Sequence, residues 1–175
     1  MKYLGVIAIF FLLLSCDNNP VETEIKRSLG TTLIINEINK ERYAPLFMKN
    51  GFLIINYLKT EECKPCELDK LRMLKHYSDD LKKYDTGVVI MIDDKNDESS
   101  NKVKEITEDL AIDYPIVIDN QNNLTANNKI FSSTIGKFII IDKNFTILWI
   151  GFPLHNDLTY NNYIKFMNKT TQNKD

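Results

Sequence analysis

The chain has 175 residues, 43% of them hydrophobic, which is enough for one domain with a proper core. Its formal net charge is −2, with charges of both signs interspersed along the sequence. That excludes the basic stripe of a nucleic-acid binder and describes an ordinary solvated surface. There are three cysteines, Cys16, Cys63 and Cys66, and only the last two form a closely spaced pair.

Lys2 supplies a positive charge, and residues 3–14 are almost wholly apolar. The run is shorter than the roughly 20 residues needed to span a bilayer and has the layout of a secretory signal peptide. It ends Leu13-Leu14-Ser15-Cys16, which resembles the bacterial lipobox. In that motif a small residue precedes a cysteine that is lipidated and becomes the mature N-terminus. The resemblance implies a signal peptide over 1–15 and lipidation at Cys16, so that the lipid bilayer is a partner through that residue. It also implies a place in the bacterial cell envelope, facing the periplasm or the exterior. The alternative is an ordinary cleaved signal with an incidental cysteine. Asp17 follows the cysteine, and the choice between inner and outer membrane stays open.

Residues 16–30 are expected to form the anchor and tether, with a short helix over 24–29. The folded domain is expected over 31–170, with a disordered tail at 171–175. Leu33-Ile34-Ile35 reads as a short first strand, and 44–50 as a connector. The run 52–58 is apolar on both faces, which suits a buried central strand. From Pro65 to Asp80, the residues Leu68, Leu71, Met73, Leu74 and Tyr77 make one apolar stripe with charges between, which predicts an amphipathic helix. Pro65 is tolerated in its first turn, where no intrahelical donor is lost. A second buried strand follows at 87–92, then a polar loop at 93–100 and a helix marked by Val103, Ile106, Leu110 and Ile112. Residues 114–119 form a third strand, with Pro115 in a tolerated early position. After a loop or short helix over 120–128, strands at 138–141 and 146–150 flank Asp142-Lys143-Asn144, a hairpin turn. A helix over 158–167 closes the chain. Strands alternating with helices imply a parallel sheet, to which the hairpin adds an antiparallel edge.

Cys63-Lys64-Pro65-Cys66 lies between the first buried strand and the amphipathic helix. Helix N-terminal amides and the macrodipole favour a thiolate there, and the thiolate is the nucleophile. A two-residue spacer lets the second sulfur close a disulfide on the first. So short a loop removes little unfolded-state entropy, which argues against a purely structural bridge. A static disulfide and a metal site are the other readings, the latter weakened by the absence of a second C-x-x-C.

Strand, Cys63-Lys64-Pro65-Cys66, helix, β-α-β, hairpin and closing helix together resemble the thioredoxin fold. A membrane-anchored copy is similar to the extracytoplasmic thiol–disulfide oxidoreductases of the TlpA/ResA type. The resemblance covers roughly 33–167, and only the cysteine motif in it is highly specific. It implies a three-layer α/β/α architecture with a central mixed sheet and a C-terminal hairpin plus helix. Cys63 would be the attacking thiolate and Cys66 the resolving thiol. Partners would be protein thiols or disulfides or an upstream membrane reductase, with no organic cofactor, no metal and no nucleic acid.

Three positions depart from the family. Glu62, beside Glu61, replaces the usual tryptophan and disfavours a thiolate at Cys63, while Lys64 favours it. The usual buried acid would fall at Asn56 or Tyr57, and neither is acidic. Gly136, after Ile135, stands where the family has a cis-proline. A copper carrier on the same fold, pairing the two cysteines with His155, is the main alternative class, since thiolates with imidazole suit copper. An exposed loop histidine is the simpler account of His155, and His76 reads as a surface residue. Trp149, Phe145 and Phe152 read as core and hairpin packing. The pattern of a peroxiredoxin-type peroxidase is absent.

Overall fold

Every residue of Phe52–Leu58 is buried, and the strand it forms, β1 (Phe52–Lys59), occupies the centre of a five-stranded sheet. In the computed structural model the described residues are 20–35, 37–47, 51–59, 71–76, 81, 83–84, 86–93, 101, 108, 111, 113–119, 123–132, 137–152 and 157–172. The helical elements are α1 (Pro20–Ser28), α2 (Glu37–Tyr43), a helical stretch over 71–76 called α3, α4 (Asn123–Asn127) and α5 (Asp157–Gln172). Single 3-10 turns lie at Ala44–Leu46 and Lys129–Ser132. The other strands are β2 (Thr86–Asp93), β3 (Ile116–Ile118), β4 (Phe138–Asp142) and β5 (Ile147–Ile150).

The sheet order is β3-β2-β1-β4-β5. β1 and β3 both run parallel to β2, whereas β4 is antiparallel to β1 and to β5. Side chains alternate along each strand, so β1 feeds two separate cores. Leu53, Ile55 and Tyr57 join Tyr43, Leu124, Ile130 and Phe131 on one face. Phe52, Ile54 and Leu58 join Leu71, Leu74, Tyr163 and Met167 on the other. The result is a three-layer α/β/α sandwich, with α3 and α5 covering the second face. Each fully buried apolar side chain contributes about 1.5–3 kcal/mol.

Several sequence expectations shift in the structure. Helix α1 starts at Pro20, ahead of the helix expected over 24–29, and Ile25 packs against the first core. The expected first strand at Leu33-Ile34-Ile35 is not one. Its neighbour Thr32 makes an isolated antiparallel bridge with Thr146, and Leu33 N–H donates to the Phe145 carbonyl at 2.9 Å. The backbone of Ile34 is satisfied instead by a side chain. Its N–H donates to Asn128 Oδ1 at 2.8 Å, and its carbonyl accepts from Asn128 Nδ2 at 2.9 Å. The third strand is confined to Ile116–Ile118. Its hydrogen bonding runs one residue further each way, through the Pro115 carbonyl to Ile90 N–H and Asp119 N–H to the Ile92 carbonyl.

The hairpin forms where its turn residues place it. Asp142 Oδ1 accepts from the N–H groups of Asn144 and Thr146, each at 2.9 Å, and Phe145 adopts a left-handed φ of 61°. This Asx-type turn explains why an aspartate opens the connection. Phe145 packs edge-on against Phe47, and Phe152 edge-on against Phe138. Trp149 meets Phe166 and Tyr163 of α5, which clamps the closing helix to the sheet. His76 is exposed, as its helix position implied.

Tyr43 links α2 to the first core and is almost fully buried. Burial, and then the nearby Asp119 carboxylate, push its phenol up from 10.0 to about 12. A phenol whose pKa is raised by folding disfavours the folded state once the unfolded chain ionises. Stability conferred at Tyr43 is therefore intact below pH 10 and declines towards pH 12. Between those limits the wild type should lose roughly 2 kcal/mol more stability than Tyr43→Phe, read by denaturant unfolding at each pH. Parallel losses in the two proteins would refute this role of Tyr43.

Candidate functional site

β1 ends at Lys59 at its carboxyl end, flanked by β2 on one side and β4 on the other. The described structure around that end is the starting point for any site, because the sequence places the cysteine pair just beyond it. Tyr57 N–H donates to the Lys137 carbonyl at 2.6 Å, so the β1–β4 pairing continues past Asn56 opposite Phe138. Lys59 Nζ donates to the Ser132 carbonyl at 3.1 Å, and the Tyr57 ring lies 5.0 Å from that of Phe131. The end of β1 is thereby tied to the 3-10 turn Lys129–Ser132.

Two lysines meet here. Lys137 is buried, and its ammonium is held below the ordinary lysine range, first by burial and then by the charge of Lys59. An anion placed beside them would relieve that repulsion, so the position favours a thiolate or a carboxylate. By strand alternation Lys59 shares a face with Tyr57, and Lys137 shares one with Ile139; both faces belong to the first core. Neither lysine stands out in the sequence. Lys137 resembles any loop lysine until its burial is known, and Lys59 looks like the polar end of an apolar run.

Asn56 takes the opposite face, on the parity of Ile54 and Leu58. Its side chain is 1% exposed, and neither Oδ1 nor Nδ2 has a hydrogen-bond partner. A buried amide left in that condition costs about 1–3 kcal/mol. The core on that face contains the rings of Tyr84 and Tyr163, with Tyr114 and Tyr160 packed against it. The cations and the amide thus flank the end of β1 from opposite faces of the sheet.

Asp119 is buried at the end of β3 and accepts from Leu124 N–H at 3.1 Å, which fixes the entry of α4. Its role there is structural. Cys16, Cys63, Cys66, Glu61, Glu62, Lys64, Pro65, Gly136 and His155 lie outside the described residues. Among the described residues, no group of three or more His, Cys, Asp or Glu side chains is arranged to hold a metal ion. Among them also, no helix is long and apolar enough to cross a membrane.

No protein-family model and no curated protein matches the sequence. Solved structures do match the fold. An uncharacterized thioredoxin-like protein from Porphyromonas gingivalis superposes with a TM-score of 0.52 at 20% identity, over 73% of this chain and 80% of that one. A putative protein disulfide isomerase from Bacteroides thetaiotaomicron gives 0.52 at 14% identity, over 74% and 77%. The peroxidoxin BcpB from Mycobacterium tuberculosis gives 0.50 at 14%, over 72% and 83%. The chain therefore has a thioredoxin-like α/β fold, the fold expected from its motif and element order. Structures named for isomerase and for peroxidoxin share it, so the fold alone does not choose the chemistry.

Proposed function

We propose that this protein exchanges thiols and disulfides through Cys63 and Cys66. The observation that carries the reading is placement. In the sequence, the Cys63-Lys64-Pro65-Cys66 motif begins four residues after Lys59, the last residue of the central strand of a thioredoxin-like sheet. In open α/β sheets, that end of the strands is where reactive groups gather.

The reaction balances without a cofactor. The Cys63 thiolate attacks one sulfur of a substrate disulfide, forming a mixed disulfide and releasing the other substrate sulfur as a thiolate. Cys66 then gives up its proton to water and attacks Cys63. The Cys63–Cys66 bond forms, the Cys63–substrate bond breaks, and the substrate leaves fully reduced with two electrons from the protein. Run backwards, the same steps oxidise a dithiol. Lys59 and Lys137 put positive charge at the end of the strand that leads into the motif, and such charge would favour a thiolate at Cys63. The protein is anchored through a lipid on Cys16 in a bacterial cell envelope. There it meets protein disulfides or an upstream membrane reductase.

The test is a redox titration of full-length Cys16→Ser protein in glutathione and dithiothreitol buffers. Thiols at Cys63 and Cys66 are counted by alkylation and mass. The expected result is a reversible two-electron transition between about −280 and −120 mV. A pair still oxidised below about −300 mV would make it a structural bridge, and a pair that never joins would remove the exchange reading.

A further inference from the structure

The two lysines at the carboxyl end of β1 are placed together by the strand register. Asn56 stands opposite Phe138, and Tyr57 N–H donates to the Lys137 carbonyl, so the next rung of the ladder sets Tyr57 against Lys137. Lys59 is two residues past Tyr57 and shares its face. Lys59 and Lys137 are therefore diagonal cross-strand neighbours, with Cα atoms about 7–8 Å apart. Lys137 is 7% exposed, and Lys59 donates to the Ser132 carbonyl, a neutral acceptor that fixes its side chain without cancelling its charge. Burial and the charge of Lys59 both work against the Lys137 ammonium. The acidic residues of this edge lie on the other strands. Asp93 is level with Lys59 on β2, and Asp119 follows β3 with its carboxylate on Leu124 N–H. Across the carboxyl edge of the sheet, β4, β1, β2 and β3 thus carry Lys137, Lys59, Asp93 and Asp119 in that order. Positive charge gathers at the β4–β1 boundary and negative charge at the β2–β3 boundary.

We propose that the Lys59–Lys137 pair is a specificity site that receives a carboxylate of the substrate polypeptide, so that the protein prefers disulfides whose cysteine lies close to a Glu or Asp. This deepens the exchange reading and rests on it. Cys63 is four residues past Lys59, and four residues of chain reach at most about 14 Å. A substrate sulfur that joins Cys63 therefore comes within a short length of chain of the pair. A carboxylate offset from that sulfur by about four residues or fewer can reach the lysines. It accepts charge-assisted hydrogen bonds from the ammonium groups and relieves their repulsion. A carboxylate held over the β2–β3 side would instead approach Asp93 and Asp119 and be repelled. The edge thus selects where the acid lies as well as whether it is present.

The test uses reduced full-length Cys16→Ser protein and two peptide disulfides that differ only in Glu or Gln two residues from the cysteine. Two electrons pass from the protein to the peptide, which leaves as two thiols while the Cys63–Cys66 bond forms. The readout is the ratio of the two second-order rate constants, Glu over Gln. A change in the reactivity of Cys63 itself alters both rates alike and cancels in the ratio. The wild type should favour the Glu peptide about fivefold at low salt and less than about twofold at 1 M salt, where the Debye length is about 3 Å. Lys137→Met, which keeps the volume of the buried stem, and Lys59→Met should each bring the low-salt ratio down to about two. Lys143→Gln removes the same charge at the hairpin turn, next to Asp142 opposite Phe52 at the other end of β1, and should leave the ratio at about five. If Lys137→Met does not fold, Lys59→Met carries the comparison alone. A wild-type ratio near one, or a ratio unchanged in either lysine variant, overturns the proposal and leaves the exchange reading standing. Failure of the wild type to reduce either peptide overturns both.

Discussion

Cys63→Ser is expected to abolish disulfide exchange, lowering turnover of a protein disulfide by at least about a thousandfold, because the serine hydroxyl is not ionised at neutral pH and its alkoxide is a poor match for sulfur. Cys66→Ser should behave differently. Attack by Cys63 still occurs, but the mixed disulfide is not resolved, so a covalent adduct with the substrate accumulates. Mass spectrometry of the two variants after incubation with a disulfide-bonded protein separates these outcomes. Full exchange in Cys63→Ser would sink the assignment, and an adduct in Cys63→Ser rather than Cys66→Ser would reverse the two roles. The adduct is also the direct route to a partner, since it carries the substrate covalently.

Gly87→Ala is expected to be the most disruptive single methyl group in the fold. Gly87 sits in β2 opposite Leu53, and a Cβ there would collide with the backbone carbonyl oxygen of Leu46 and press on Leu53 Cδ1 at 3.2 Å. The turn Ala44–Leu46 lies directly on the strand, and a backbone carbonyl cannot rotate aside as a side chain can. Overpacking of this kind costs about 3 kcal/mol. Urea unfolding should show a matching fall in the midpoint at constant slope. A loss below about 0.5 kcal/mol, the range of an ordinary surface substitution, would mean that the turn yields freely.

The two central strands were legible because each is a continuous apolar run, which a sheet covered on both faces demands. The hairpin was legible because Asp142 and Asn144 carry their own turn chemistry. Leu33-Ile34-Ile35 was misread for the same reason that β1 was read correctly: it is apolar and bounded by a glycine. Its partner is Asn128, far along the chain, and a side-chain amide that stands in for a neighbouring strand leaves no local pattern. Helix α2, Glu37-Ile38-Asn39-Lys40-Glu41-Arg42-Tyr43, leaves no trace in the sequence pattern because about two turns hold too few apolar positions to show a period. At the candidate site the cysteine motif was plain, since its spacing is chemical rather than conformational. The buried state of Lys137 was not, because burial of a lysine depends on what folds over it. In the sequence Asn56 is distinguished only by being non-acidic. That its amide lacks any partner is a property of the packed core.

The backbone that replaces the missing first strand has a further effect. Gly30 N–H donates to the Ile147 carbonyl, Ile147 N–H donates to the Thr31 carbonyl, and Leu33 N–H donates to the Phe145 carbonyl. These bonds cap the outer margin where the hairpin enters β5, a place where a sheet is otherwise open to a strand from another molecule. At the opposite margin β3 is only three residues long, too short to template much pairing. A sheet with one margin capped at its start and the other abbreviated offers little length to a strand from another molecule.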